Sequence, residues 1–311
     1  MKILIVCSGN AENFSFERNQ AFIYDQVETI KNEFRDIQFG YFFIKGKGIT
    51  GYLRCLKELR KVLHQENYHC IHAHFTFSSL LANFQRKVPV ITTFHGSDIN
   101  VLKNRLISFV VAILSKKNVY VSQNLLNKSL LKLSYKSFVI PCGVNFEIFT
   151  PQAKIINREV FNLSNEKKYI LFSSSFDNTV KNYPLAKKAL DYINDDAIEI
   201  LPLKNYSRQQ VSALMNVVDL ALMTSFTEGS PQFVKEAIAC NCPVVCTDVG
   251  DVKDVIVKVE GCFLTSFDYK DVSANILKGL TYGKLKNGKE QIGSFDNNLI
   301  AHRIRNIYRS I

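Results

Sequence analysis

An α/β protein with two doubly wound parallel sheets is the architecture that the sequence predicts, and three observations carry the prediction. Short runs rich in β-branched and aromatic residues alternate with longer amphipathic stretches along most of the chain, the pattern of repeated βαβ units. The alternation stops in the polar, exposed-looking stretch 145–168 and restarts at Tyr169, so there are two cycles. In the second cycle the apolar runs 220–223 and 244–247 flank one helical segment, as expected of strands buried on both faces of a parallel sheet. At 311 residues and 47% hydrophobic content, two medium cores can be buried.

In the first cycle the strands are expected at 2–7, 37–43, 70–74, 88–93, 118–121 and 138–140, with helices at 18–34, 52–64, 78–86, 102–114 and 123–132. In the second, strands at 169–172, 198–201, 218–223 and 244–247 enclose helices at 184–193, 208–215 and 231–240. A last helix follows at about 297–310. The boundary is placed near Thr150, giving domains 1–150 and 151–311 with a ligand cleft between them. No solenoid repeat or low-complexity tract is present.

Charge is unevenly distributed. Of the net +11, residues 1–150 hold 19 Lys and Arg against 10 Asp and Glu, a net +9, and the remainder holds 20 against 18, a net +2. A one-sided basic domain points to an anionic partner, such as a lipid-linked phosphate or an anionic membrane surface, or is simply a soluble basic surface. Nucleic acid is not indicated, because the basic patches lack interleaved aromatics and no helix-turn-helix is visible. The apolar run 106–114, flanked by Lys103, Arg105, Lys116 and Lys117, is too short to span a bilayer. It reads either as a helix approaching anionic headgroups or, more plainly, as a buried core helix with solvated ends.

Eight scattered cysteines without a Cys-x-x-Cys pair read as reduced, mostly buried thiols, with neither a disulfide framework nor a zinc site. Ser8, Gly9 and Asn10 end the first apolar run too early for a secretory leader, so the expected location is cytoplasmic. The single glycine of that loop does not make a dinucleotide fingerprint, and His72-Ala-His74 reads as a strand pair lacking a third metal ligand.

The most informative segment is 224–245, Thr-Ser-Phe-Thr-Glu-Gly-Ser-Pro-Gln-Phe-Val-Lys-Glu-Ala-Ile-Ala-Cys-Asn-Cys-Pro-Val-Val. Ser230 reads as a helix N-cap and Pro231 as the first helical residue, with Asn241 and Pro243 stopping the helix. The backbone N–H groups of Gln232 and Phe233 would point from its positive end, where a diphosphate is favoured. Glu228 precedes that end and Glu236 lies roughly 7 Å beyond Pro231, at about 1.5 Å per residue. Two carboxylates would therefore bracket the anion and accept hydrogen bonds from sugar and ribose hydroxyls. On spacing alone each glutamate could equally be a surface residue in an ordinary ion pair, with a charge–dipole contribution of about 0.3–1 kcal/mol.

This segment resembles the Glu-x7-Glu donor segment of the family 4 glycosyltransferases, of the two-domain GT-B fold, which implies that the last helix, about 297–310, crosses back onto the first domain. Two further segments are similar to that family: 93–99, Thr-Phe-His-Gly-Ser-Asp-Ile, and 140–151, Ile-Pro-Cys-Gly-Val-Asn-Phe-Glu-Ile-Phe-Thr-Pro, where Cys142 replaces the usual Asn and Gly143 is read as a turn residue. In 171–181, Leu-Phe-Ser-Ser-Ser-Phe-Asp-Asn-Thr-Val-Lys, Lys181 fits the family's lysine, but Ser174 and Ser175 stand where Gly and Arg are usual. The resemblance implies a retaining transfer from a nucleotide diphosphate sugar to an acceptor hydroxyl, in cell-surface polysaccharide or glycolipid synthesis, with no cofactor or metal. His95 and Glu228 would orient the sugar, Lys181 would meet the diphosphate, and Glu236 would hold the ribose. Gly9, Ser175, Gly229, Ser230, Pro231, Gln232 and Phe233 would complete the donor site, with Lys204 a candidate for the missing cation. The acceptor would bind the basic first domain. The alternatives are a catalytically silent nucleotide-sugar binder and, against the Glu-x7-Glu match, a nucleotide-sugar epimerase.

Overall fold

The computed structural model describes residues 1–46, 48–152 and 158–311. Two compact units divide the chain: Met1–Gly143 with Asn297–Ile311, and Val144–Asp296. In the first, β1 (Lys2–Ser8), β2 (Gln38–Ile44), β3 (Cys70–His74), β4 (Val90–Phe94), β5 (Lys117–Tyr120) and β6 (Ser137–Val139) form one sheet in the order β2-β1-β3-β4-β5-β6. In the second, β7 (Lys168–Phe172), β8 (Ile198–Pro202), β9 (Leu220–Met223), β10 (Val244–Thr247) and β11 (Phe263–Thr265) take the order β11-β10-β9-β7-β8. Every pairing is parallel.

Alternation along the strands decides what each face meets. Ile3, Ile5 and Cys7 of β1 pack with Ile23, Val27 and Ile30 of the helix Ala21–Glu33 and with Ile300, Ile304 and Tyr308 of the C-terminal helix Asn297–Arg309. Leu4 and Val6 point the other way, onto Leu59 and Leu63 of the helix Gly48–Gln65. The second sheet repeats the logic: Leu171 joins Val234 and Ile238 of the helix Gln232–Ala239, whereas Ile170 and Phe172 meet Ala186, Ala189 and Ile276 on the opposite face. Burying one such aliphatic side chain stabilises by about 1.5–3 kcal/mol, so the apolar runs dominate the fold.

Several features differ from the sequence expectation. The helix expected at 18–34 is broken at Gln20 into Phe16–Asn19 and Ala21–Glu33. β11 and the helices Val252–Ile256 and Tyr269–Tyr282 were not anticipated. β11 has three residues, too few for a periodicity, and the long helix carries Gly279 on its buried face, where an added Cβ would lie 2.6 Å from Leu220 Cδ1. The helix Leu102–Leu114 has the expected bounds but is not a buried core helix. Its buried residues are Ser108, Val111 and Ala112, beside the helix Thr76–Asn83, with Ile107 packed against the same core, and Leu102, Leu106, Phe109, Val110 and Ile113 face outward.

Within the polar stretch 145–168, residues 153–157 lie outside the described residues. The rest is anchored rather than simply exposed: Phe149 is fully buried and Arg158 Nη2 sits 2.7 Å from Asp219 Oδ2. All eight cysteines are free thiols, six buried and two, Cys142 and Cys262, half-buried. Burial pushes Cys7, Cys70, Cys240 and Cys262 up to about 12 and Cys242 to about 11, and raises Cys246 as well.

The units part at Gly143/Val144, ahead of Thr150, because Val144 and Phe149 belong to the second core and Val144 N–H donates to Phe295 O at 2.8 Å. Gly143 is not a turn glycine in the left-handed region. An added Cβ there would overlap the Asn297 side chain and come within 3.0 Å of Ile300 Cγ1, so the residue is small to admit the C-terminal helix. Gly143→Ala is expected to lower the stability of the first unit by about 1–3 kcal/mol, the usual cost of overpacking, read as a drop in denaturation midpoint. An unchanged midpoint would show that the helix shifts freely.

Candidate active site

The strand order of the second sheet reverses at β7 and β9, and the loops that leave their carboxyl ends are joined. Thr224, directly after β9, donates its hydroxyl to the carbonyls of Lys181 and Asn182 at 3.1 and 3.0 Å, and Phe226 N–H donates to Val180 O at 2.9 Å. The turn Thr179–Lys181, whose Asn178 side chain caps Val180 N–H, is held beside the loop that carries Glu228. As a result Lys181 Nζ lies 2.5 Å from Glu228 Oε1, with both side chains largely buried.

Glu228 leads into the helix Gln232–Ala239, and here the cap differs from expectation. Pro231, with φ −67° and ψ 115°, is the N-cap residue, and the helix starts one residue later than expected. The Ser230 hydroxyl donates to Asp251 Oδ2 at 2.5 Å and accepts from Lys235 Nζ. Lys235 is fully buried, lies 2.8 Å from the same Asp251 oxygen, and has the Phe295 ring 4.5 Å away. Asp251 Oδ1 is buried without a partner among the described residues. The neighbouring backbones are also tight, since a Cβ on Gly250 would sit 2.8 Å from Gly229 O. This polar knot ties the loop before the helix to the loop after β10.

Glu236 is almost wholly buried one turn into the helix, where its Oε1 accepts from Arg208 Nη2 at 2.7 Å. Arg208 was missed in the sequence. It is the first residue of the helix Arg208–Val217, behind a Ser207–Gln210 capping box, and its guanidinium lies 4.6 Å from the centre of the Phe149 ring. The Ser-x-x-Gln signature was readable and marks a helix start beyond the carboxyl end of β8. The partner 28 positions away was not.

Other expected donor residues are placed differently. Among the described residues Lys204 reaches Asp177, at 4.0 Å, with both side chains exposed. Ser175 bonds through its side chain to Asp177, which lowers that carboxyl below its ordinary value, aided by the charge of Lys204. The cations brought to the two bracketing glutamates are therefore Lys181 and Arg208.

In the first unit, Gly9 donates its N–H to Ile44 O at 2.9 Å, and a Cβ there would lie 2.8 Å from Phe43 Cβ. His95 follows β4 as N-cap of the short helix Gly96–Asn100: its side chain accepts from the Asp98 N–H, and Asp98 accepts from His95 N–H at 2.6 Å and from Thr76 N–H at 2.7 Å. Its Nε2 faces His74 Nδ1 at 3.3 Å. The buried His74 Nε2 has no partner among the described residues. His72 bonds Tyr308 Oη at 2.8 Å and Thr93 Oγ1 at 2.7 Å. His95 Nε2 is thus engaged inside the unit. Burial pushes His72 and His95 down to about 3 and holds His74 well below its ordinary value, whereas Asp98 is raised by burial to about 6.

These features predict two outcomes. Removing one partner of the buried Lys235–Asp251 pair, as in Lys235→Met, is expected to cost about 3–5 kcal/mol of stability in chemical denaturation, whereas an effect below about 1 kcal/mol would mark the pair as a surface-like bridge. The unfolded chain protonates its histidines near 6.5, well above the folded values of about 3, so stability is fully present above 6.5 and is lost as pH falls. The slope is about 1.4 kcal/mol per pH unit for each histidine held neutral. Asp98 opposes it, favouring the fold as pH falls from about 6 toward 3.8, but one carboxyl stands against three imidazoles. His72→Gln should flatten the pH dependence of Tm, and an unchanged slope would place the proton uptake elsewhere.

Comparison with known proteins agrees with this layout. The Glycosyltransferase Family 4 profile matches residues 5–148, and the Glycosyl transferases group 1 profile matches residues 168–281. An uncharacterised glycosyltransferase of Methanocaldococcus jannaschii is 25% identical over 292 residues, covering 86% of this chain and 82% of its own. TuaC of Bacillus subtilis, a glycosyltransferase named for teichuronic acid biosynthesis, is 27% identical over 215 residues, 60% of this chain and 55% of TuaC, so this chain spans about half the length of that relative. Among solved structures, Anabaena HepE in complex with UDP-glucose superposes with a TM-score of 0.75 at 16% identity, covering 100% of both chains, a likeness of fold. With the two profiles together covering most of its length, the chain belongs to the family 4 glycosyltransferases and has the GT-B fold.

Proposed function

We propose that the protein transfers a sugar, with retention, from a nucleotide diphosphate sugar to an acceptor hydroxyl in cell-surface polysaccharide or glycolipid synthesis. The observation that carries this reading is the pair of ion pairs at the helix start, Lys181–Glu228 at 2.5 Å and Arg208–Glu236 at 2.7 Å. Each pair sets one cation against one of the bracketing carboxylates. A diphosphate arriving at the N-terminus of Gln232–Ala239 would draw Lys181 away from Glu228, leaving the ammonium on the phosphate and the carboxylate on the sugar hydroxyls. Negative charge growing on the leaving diphosphate would then be met by Lys181 and the helix N–H groups, in a site preorganised by Lys235, Asp251 and Ser230. Arg208 would hold Glu236 toward the ribose, and in this reading it replaces Lys204 as the arginine-like cation of the site.

Gly9 and His95 enter the same proposal as contacts to donor phosphate and sugar, and the latter requires His95 to exchange its bond to His74. The UDP-glucose bound by HepE and the teichuronic acid polymer for which TuaC is named support a nucleotide-sugar donor and a cell-surface product. The acceptor is assigned to the basic first unit, as a saccharide or lipid-linked saccharide at the cytoplasmic face of a membrane. No metal or other cofactor is included in the proposal.

Thermal-shift measurement against UDP-, GDP-, ADP- and TDP-sugars identifies the donor, since a ligand of the folded state raises Tm by mass action. With that donor, Glu228→Gln is expected to lower transfer or donor hydrolysis by about 10²–10³-fold while nucleoside diphosphate binding stays within a few-fold. Equal rates in the two proteins would remove Glu228 from the reaction, and donor binding without product in the unaltered protein would leave a nucleotide-sugar binder.

A further inference from the structure

The helix Leu102–Leu114 is amphipathic in the wrong direction for a solvated surface. Leu102, Leu106, Phe109, Val110 and Ile113 lie on one helical stripe and are 38–66% exposed, whereas the buried residues are Ser108, Val111 and Ala112. The arrangement is held in place: Ser108 Oγ lies 2.5 Å from Thr76 Oγ1, and Asn83 Nδ2 donates to Ser115 Oγ at 3.0 Å, fixing the helix against Thr76–Asn83. That second helix leaves Phe77 and, at its end, Phe84 exposed as well.

The charge around the stripe has one sign. Between Thr76 and Gly143 the sequence holds nine Lys and Arg against one acidic residue, Asp98, which is buried. Lys103 and Arg105 lie near the start of the helix. Beyond its end is a cavity of about 460 Å³ whose lining includes Arg86, Lys87, Lys116, Lys117 and Lys136 and contains no acidic side chain. Lys136 is tied to the carbonyls of Ile113 and Ser115 at 2.8 Å each, so it seals the helix end, while Arg86, Lys87 and Lys116 are exposed.

We propose that this face docks the protein on an anionic bilayer, with the stripe among the upper acyl chains and the basic cavity against headgroup phosphates. A second copy of the chain is a poorer fit, because pairing the face with itself would set like charges against one another. No helix among the described residues is long and apolar enough to cross a membrane, so the contact is interfacial. The inference deepens the proposed function, on which it rests only for what the membrane presents to the enzyme.

The test is flotation of the full chain with vesicles of phosphatidylcholine alone or mixed with phosphatidylglycerol. The protein is expected to float with the mixed vesicles, much less with the neutral ones, and to be released by salt. Leu106→Ser combined with Phe109→Ser should abolish flotation, and Arg86→Gln combined with Lys116→Gln should weaken it by about fivefold for each cation removed, with circular dichroism and Tm unchanged. Failure of the unaltered chain to float, equal flotation with neutral vesicles, or undiminished flotation of the serine variant overturns the proposal. A dimer in sedimentation that the serine substitutions dissociate, without vesicle binding, gives the face to a second copy and overturns it too. Nucleotide-sugar binding by the same proteins keeps the two failures apart: a chain that floats but binds no sugar nucleotide loses the transfer reading alone.

Discussion

In a parallel sheet every strand delivers its carboxyl end to the same edge, and the rest of this molecule depends on where the order of those strands reverses. On either side of such a reversal the connections leave toward opposite faces, so the two loops face each other with no helix lying over the gap. In the second unit the reversal falls between β7 and β9, which is why a lysine after one strand meets a glutamate after the other across 47 residues of sequence. In the first unit it falls between β1 and β3, whose carboxyl ends carry Gly9 and His74. Backbone topology thus selects which loops can hold chemistry before any side chain is considered.

The charges at the second reversal are held in pairs. Buried carboxylates and ammonium groups are costly unless paired, and Lys181, Arg208 and Lys235 each have an acidic partner within 3 Å. The three pairs differ in accessibility. Lys235–Asp251 is sealed and ties two loops together, Arg208–Glu236 is nearly sealed, and Lys181–Glu228 is the most open. Burial therefore increases away from the pair best placed to exchange partners.

Most of the strand framework was readable because its strands are continuous apolar runs, and the bracketing glutamates were readable because local spacing around a helix start fixes them. What escaped the sequence were features set by tertiary contact. Arg208 is one arginine among many until the fold brings it to Glu236, and Ser230 looks like the N-cap until the helix start falls one residue later, with Pro231 in that position. The outward stripe of Leu102–Leu114 is the clearest instance. Periodicity shows that a helix has an apolar side, but only the neighbouring Thr76 and Asn83, bonded to Ser108 and Ser115, decide that the small residues face inward.

The thiols described above bear on how that outward stripe could be observed. Alkylating reagents react with thiolate, and six of the eight cysteines are held far above the ordinary thiol range by burial. A cysteine introduced at Leu106 would sit on an exposed helical surface instead, so a maleimide-linked environment-sensitive dye could be attached there with little competition once the half-buried Cys142 is replaced. The reduced, buried thiol set thus leaves the chain's own chemistry quiet enough for a single fluorophore to report the polarity that this face meets.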